Sequence, residues 1–238
     1  MPEETQKELG VFQKIVGVFS SPRQTFESVN RKPDWVVPLV IVLLVSLVIS
    51  ILVTPIAMQE GLEMQREMMK ERGMSDEQID NALAIGQKVG KITGPIMAVI
   101  VILVVLLIVA AVLMFGGNVI LGGTTNFKKV FSVICYSSLI GSLGGLIKLP
   151  LMLSKQSVKV SFSLATFLSE DASKTFLYKL LSKIELFTIW ELAVLSIGLA
   201  VIYKFTTKKA ATLVVSLWII WVVISVGLGS LLGGRFGF

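Results

Sequence analysis

Three stretches of the chain, 35–59, 92–127 and 210–234, contain no charged side chain. Each exceeds the roughly 20 apolar residues an α-helix needs to cross about 30 Å of hydrocarbon. A helix on a soluble core would show a polar stripe every 3.6 residues, and these show none. Two further apolar stretches are less clean. One begins after Lys128-Lys129 and reaches about Leu153. The other must begin near Ile184, because the uncharged residues between Glu191 and Lys204 would give only about 18 Å of helix. That start places Glu191 inside the bilayer. The pattern predicts an all-α integral membrane protein, a five-helix transmembrane bundle with spans at about 36–58, 92–121, 130–153, 184–203 and 210–232. A transmembrane barrel is excluded, because its strands alternate apolar and polar residues in short segments.

The polar segments divide the rest. Residues 1–35 are expected to be a cytoplasmic segment containing a short amphipathic helix. Leu9, Val11, Phe12, Ile15, Val16, Val18 and Phe19 share one face, and Gly10, Gln13, Lys14 and Gly17 the other. Such a helix suits the headgroup layer, or packing against the protein's own loops. Ser21-Pro22-Arg23-Gln24 reads as a helix start with a serine cap, a proline at the first position and a glutamine to close a capping box. Phe26 and Val29 continue the apolar stripe to Lys32-Pro33. Within the domain 36–232, polar outer connections are expected at 60–91 and 154–183. In the first, Glu60 to Arg72 reads as a helix, Gly73 as its stop and Ser75-Asp76-Glu77-Gln78 as the capped start of another. In the second, Val158, Val160, Phe162 and Leu164 alternate ahead of a helical stretch through Leu177, Leu180 and Leu181. The first 34 residues hold no apolar signal region, so the first span is expected to remain as an anchor.

Composition sharpens this picture. With 54% hydrophobic and 16% charged residues among 238, the polar surface is too small for a soluble domain. The net charge of +6 reflects basic residues beside cytoplasmic helix ends and anionic headgroups. No aromatic–basic interleaving suggests nucleic acid as a partner. The short basic turns Lys128-Lys129 and Lys204, Lys208, Lys209 place the N-terminus in the cytoplasm and the C-terminus outside. Trp35 stands where an aromatic ring anchors a span at the interface. Histidine is absent, which removes the commonest zinc ligand and general base. Cys135 is the single cysteine and can form no intrachain disulfide. No HExxH, GxSxG or Walker loop occurs, so no catalytic, metal or cofactor site is expected. Met64, Met68 and Met69 could offer thioethers to copper(I), but read better as helix formers.

Two features carry candidate chemistry. Glu191 would cost several kcal/mol inside a span unless paired, protonated or facing water. Lys148 offers a counter-charge. It lies about five residues from the outer end of span three, and Glu191 about seven from the same side of span four, so their depths agree within one turn. An intramembrane Lys148–Glu191 pair is therefore expected, either as a packing staple with Lys148 snorkelling outward or as a proton- or ion-coupling site. Small residues recur every fourth position at Ser137, Gly141 and Gly145, and at Ser225, Gly229 and Gly233. Such stripes let helices approach closely in lipid, within one chain or between copies of a homo-oligomer.

The ordered motifs resemble a known family. Val18-Phe19-Ser20-Ser21-Pro22-Arg23-Gln24-Thr25-Phe26 and Lys32-Pro33 precede the first span. Downstream come Ser163-Leu164-Ala165, the run from Leu181 to Trp190, Leu195 to Ala200, Lys209-Ala210 and Trp218. Together, over about residues 15–230, they resemble the bacterial branch of the Yip family, the Ypt/Rab-interacting polytopic membrane proteins. The resemblance implies five spans with the N-terminus inside, and places Glu185 and Trp190 as anchors near the outer interface. Eukaryotic members act with Rab-type GTPases in ER–Golgi trafficking. The long polar N-terminal region of those members has no counterpart in this sequence, so Rab binding is not expected. Some bacterial members accompany ABC-type exporters, and the family offers no catalytic residue to carry over. The resulting expectation is a non-enzymatic protein of the bacterial plasma membrane. It would serve as accessory or scaffold for other integral membrane proteins, an ABC exporter among them, or organise the membrane. The alternative is a small transporter or channel using Glu191. Against it, spans one, two and five hold almost no polar residue besides Asn118, and five spans do not divide into paired repeats.

Overall fold

Residues Val36 to Glu71 form one uninterrupted helix in the computed structural model, which describes residues 8–160, 162–168 and 175–231. The elements in order are α1 (Val11–Ser20), α2 (Pro22–Arg31), α3 (Val36–Glu71), α4 (Asp76–Phe115), a π-helical turn (Gly116–Ile120), α5 (Phe127–Lys155), a 3-10 turn (Leu164–Phe167), α6 (Phe176–Ser182), α7 (Leu186–Tyr203) and α8 (Thr207–Leu231). Five helices are long and apolar enough to cross a membrane: Val36–Glu71, Asp76–Ile120, Phe127–Lys155, Leu186–Tyr203 and Thr207–Gly227. The expected five-span helical class is the observed one. Among the described residues the alternating segment 158–164 makes no strand, only a bridge between Ser163 and Glu185.

The first two spans are much longer than their apolar cores. At about 1.5 Å per residue, the 36 residues of α3 and the 40 of α4 give helices of about 54 and 60 Å, against about 30 Å of hydrocarbon. The polar stretch 60–91 is thus carried on the same two helices and is broken only between Glu71 and Asp76. Gly73 makes that break at φ 77°, a left-handed backbone that glycine adopts without strain. Ser75 and Gln78 cap each other reciprocally, at 3.0 and 3.3 Å, and start α4.

The chain divides into two compact units, one of residues 1–40, 106–141 and 161–238, the other of 41–105 and 142–160. In the first, α1 packs on α2, α2 on α7 and α7 on α8. Every residue of α5 from Val130 to Ile140 is buried. Gly198 on α7 makes the close approach possible. A Cβ there would run into Val133 of α5 and lie within 3.0 Å of the Phe26 ring of α2. Small side chains let helices meet in this way where no hydrophobic driving force exists between them.

The expected short N-terminal helix is present as α1. Its Lys14 and Val18 are buried within the chain, while Phe12 and Val16 of the apolar face are exposed. The reason is tertiary: α1 folds back on α2, with Gly17 seated against Thr25. The pair touches α7 twice, Phe26 at Gly198 and Phe19 at Trp190, points about 12 Å apart along that helix. It therefore packs along α7, with Phe12 and Val16 left on its outer side. Pro22 begins α2 as expected, but Ser21 makes no side-chain cap bond.

In the second unit α3 and α4 run antiparallel with a regular register. A Cβ at Gly94 would approach Thr54 to 3.3 Å, and one at Gly90 would come within 2.9 Å of Met58. Further along, Arg66 pairs with Asp80 at 2.6 Å and Lys70 with Asp76 at 3.4 Å. The end of α5 joins them: Gly145 faces Ile49, and the Val158 amide donates to Glu60 at 3.2 Å.

Candidate functional site

Glu191 occupies the second turn of α7, on the side facing α5. Ser138 and Gly141 of α5 stand one turn apart on one face of that helix, a hydroxyl beside a bare Cα. Ser138 Oγ donates to Glu191 Oε1 at 3.0 Å. A Cβ on Gly141 would come within 2.7 Å of Glu191 Oε2. The carboxylate thus fills the notch that the missing side chain leaves. A hydrogen bond to a charged or chargeable group in a dry setting is worth more than a neutral one, and stranding that group is costly.

The other stripe residues take separate roles. Gly145 admits Ile49. Ser137 is buried, with a hydroxyl that has no hydrogen-bond partner among the described residues. Ser225 donates to Val222 O of its own helix at 2.9 Å. Gly229 lies in α8, and Gly233 falls outside the described residues. Lys148 is half-buried on α5, seven residues beyond Gly141. Trp35 packs edge-on against Phe131 at 5.4 Å, and Trp190 sits between Phe19 and Phe187 at 5.9 and 6.5 Å. Met64 is exposed and Met68 and Met69 half-buried on α3.

A second polar centre was missed in the sequence. Lys14, only 2% exposed, pairs with Asp34 at 3.1 Å and donates to Lys32 O at 3.4 Å. The available signal was Asp34 itself, the last acid before an uncharged span.

The third feature is the extension of α3 and α4 past their apolar cores. A groove of about 320 Å³ lies there, lined by Leu62, Glu63, Arg66, Asp80, Leu83 and neighbouring residues. Ile85 and Val89, one turn apart, are 64% and 52% exposed, with exposed Lys88 between them.

Five helices long and apolar enough to span a membrane and an N-terminal helix pair define a polytopic α-helical membrane protein. The Yip1 domain model matches residues 16–229, from α1 into α8. The chain belongs to the Yip1 domain family. It is similar to membrane protein YknW of Bacillus subtilis (strain 168), with 28% identity over 190 residues, covering 78% of this chain and 76% of the relative. No solved structure matches it.

Proposed function

We propose that this Yip1-family membrane protein is a non-catalytic accessory that holds other integral membrane proteins, an ABC-type exporter among them, through the projecting α3–α4 hairpin. One observation carries the reading: Ile85 and Val89 stand exposed on the charge-bearing stretch 60–91, which this reading puts outside the hydrocarbon, where exposed apolar area marks an interaction surface. The use made of polar groups supports it too. Glu191 is engaged by Ser138 over Gly141, and Lys14 by Asp34, so both serve packing. In this reading α1 is cytoplasmic, the α3–α4 hairpin projects outward, and Lys148 supplies the counter-charge of Glu191.

The test is native electrophoresis of the tagged chain, solubilised from its own membranes in mild detergent. The expected wild-type species is larger than a monomer and contains exporter subunits. It collapses to the monomer in Ile85→Glu/Val89→Glu while the amount of protein stays unchanged. A wild-type chain that runs alone overturns the proposal. Flux in proteoliposomes that disappears with Glu191→Gln would establish the transporter reading in its place.

A further inference from the structure

The two short loops at one end of the first unit, 121–126 and 204–206, are locked together. Tyr203 lies over Gly117, and its hydroxyl donates to Met114 O at 3.4 Å. Phe205 stacks on Tyr203 at 5.0 Å, and a Cβ at Gly123 would come within 2.5–2.6 Å of both rings. Lys209 Nζ donates to Leu121 O at 3.0 Å, tying the start of α8 to the π-helical end of α4. The π-helical turn itself, Gly116–Ile120, is the kind of helix distortion that recurs at functional sites.

This platform is basic and holds no acid. Lys128, Lys129, Lys204, Lys208 and Lys209 fall within it, and the sequence contains no Asp or Glu between Asp80 and Glu170 or after Glu191. Lys128, Lys204 and Lys208 are exposed and Lys129 is half-buried. Among the described residues none of these four has an acidic partner. Lys204 sits at φ 57°, a left-handed turn that ends α7 and holds its side chain in the loop. Two long helices also begin here. Asn126 Oδ1 accepts from the Lys129 amide at 3.0 Å, and Thr206 Oγ1 from the Lys209 amide at 3.2 Å. Their positive dipole ends add to the lysine field. Among the described residues the buried Thr125 hydroxyl has no partner, which leaves a donor for an oxygen anion.

We propose that this platform binds the phosphodiester headgroups of anionic phospholipids. Its place favours lipid over free phosphate: four apolar spans have an end at it, with Phe127, Tyr203 and Phe205 forming the aromatic layer expected at the headgroup level. Each lysine near an anionic bilayer surface should change lipid affinity about five-fold. The inference stands apart from any protein partner of the α3–α4 hairpin.

The experiment compares lipid retained by purified chain in nanodiscs containing equal phosphatidylglycerol and phosphatidylcholine, read by native mass spectrometry. Wild type should keep phosphatidylglycerol at least ten-fold over phosphatidylcholine, by the per-lysine change above. Lys128→Gln/Lys129→Gln/Lys204→Gln/Lys208→Gln should lose the preference, and the same four positions changed to Arg should keep it. A control with the same loss of charge elsewhere, Lys88→Gln/Lys91→Gln/Lys159→Gln/Lys179→Gln, should also keep it. If the quadruple platform variant melts earlier than wild type in lipid-free detergent, the double variant Lys128→Gln/Lys208→Gln, both exposed, replaces it. Equal loss in the control, or an unchanged preference in the platform variant, overturns the proposal. So does inorganic phosphate at millimolar concentration if it displaces the retained lipid.

Discussion

Ser138 and Glu191 are joined across α5 and α7 by a 3.0 Å hydrogen bond, and the carboxylate oxygen not so engaged rests over Gly141. The glycine and the glutamate are thus two halves of one packing decision. Ser138→Ala should lower stability by about 1–2 kcal/mol, the cost of leaving a buried group unsatisfied. Gly141→Ala should cost at least as much, because the new Cβ must displace the carboxylate. In a Glu191→Ala background the same glycine substitution should be close to neutral. Thermal denaturation of the four chains in one detergent checks this. An equal cost in both backgrounds would mean that Gly141 serves some other neighbour.

That arrangement shows what the sequence could and could not tell. Three of the five spans were legible because uncharged runs longer than a bilayer have few other uses, and the other two as apolar stretches that each carry an isolated charge. Glu191 was legible as an oddity, since α7 is too short without it. Its seat was not, because four-residue spacing of small residues predicts close approach without saying what fills the notch. In the event a carboxylate fills it at Gly141, an isoleucine at Gly145 and, at Gly198, which belonged to no stripe, the side chains of Val133 and Phe26. The burial of Lys14 was not legible for a related reason. Periodicity assigns faces by hydrophobicity, but Lys14 finds Asp34 after a helical turn-back that no local pattern encodes. A paired charge can then be buried and Phe12 left outside.

Lys14 and Asp34 tie α1 to the entry of α3 with side chains that are 2% and 27% exposed. Removing one partner of a buried pair strands the other charge and costs about 3–5 kcal/mol, whereas replacing both with apolar residues is often neutral. Lys14→Met should therefore destabilise the chain strongly, and Lys14→Met/Asp34→Leu should recover most of the loss. Limited proteolysis before Pro22 gives an independent reading, with faster cleavage in the single variant alone. A double variant as weak as the single would show that packing of the lysine stem, not its charge, holds α1 in place.

Lys148 as counter-charge to Glu191 remains open to a thermodynamic cycle. The proposal rests on matched depth in the sequence and on a shared face of α5, where Lys148 follows Gly141 by two turns. Lys148→Met should cost stability in the wild-type chain and little in Glu191→Gln. Coupling of about 0.5–3 kcal/mol is the range for residues in contact. Additive effects would assign Lys148 to snorkelling alone, and the Glu191 seat would stand unchanged.

The break between α3 and α4 and the basic platform lie at opposite ends of α4, one at Asp76 and the other after Ile120. A helix that crosses the bilayer must put them on opposite sides. In the proposed orientation the density of lysines fixes which is which, because basic loops are retained in the cytoplasm. Single cysteines can read this directly once the buried Cys135 is changed to Ser. Glu67→Cys on the projecting hairpin should react with a membrane-impermeant maleimide in intact cells. Lys208→Cys on the platform should react only after permeabilisation. The reverse pattern would invert the orientation while keeping five spans, and would move the anionic-lipid platform to the outer leaflet. Labelling of both sites in intact cells would mean that α4 does not cross at all, and the long uncharged stretch from Ile92 onward would need another explanation.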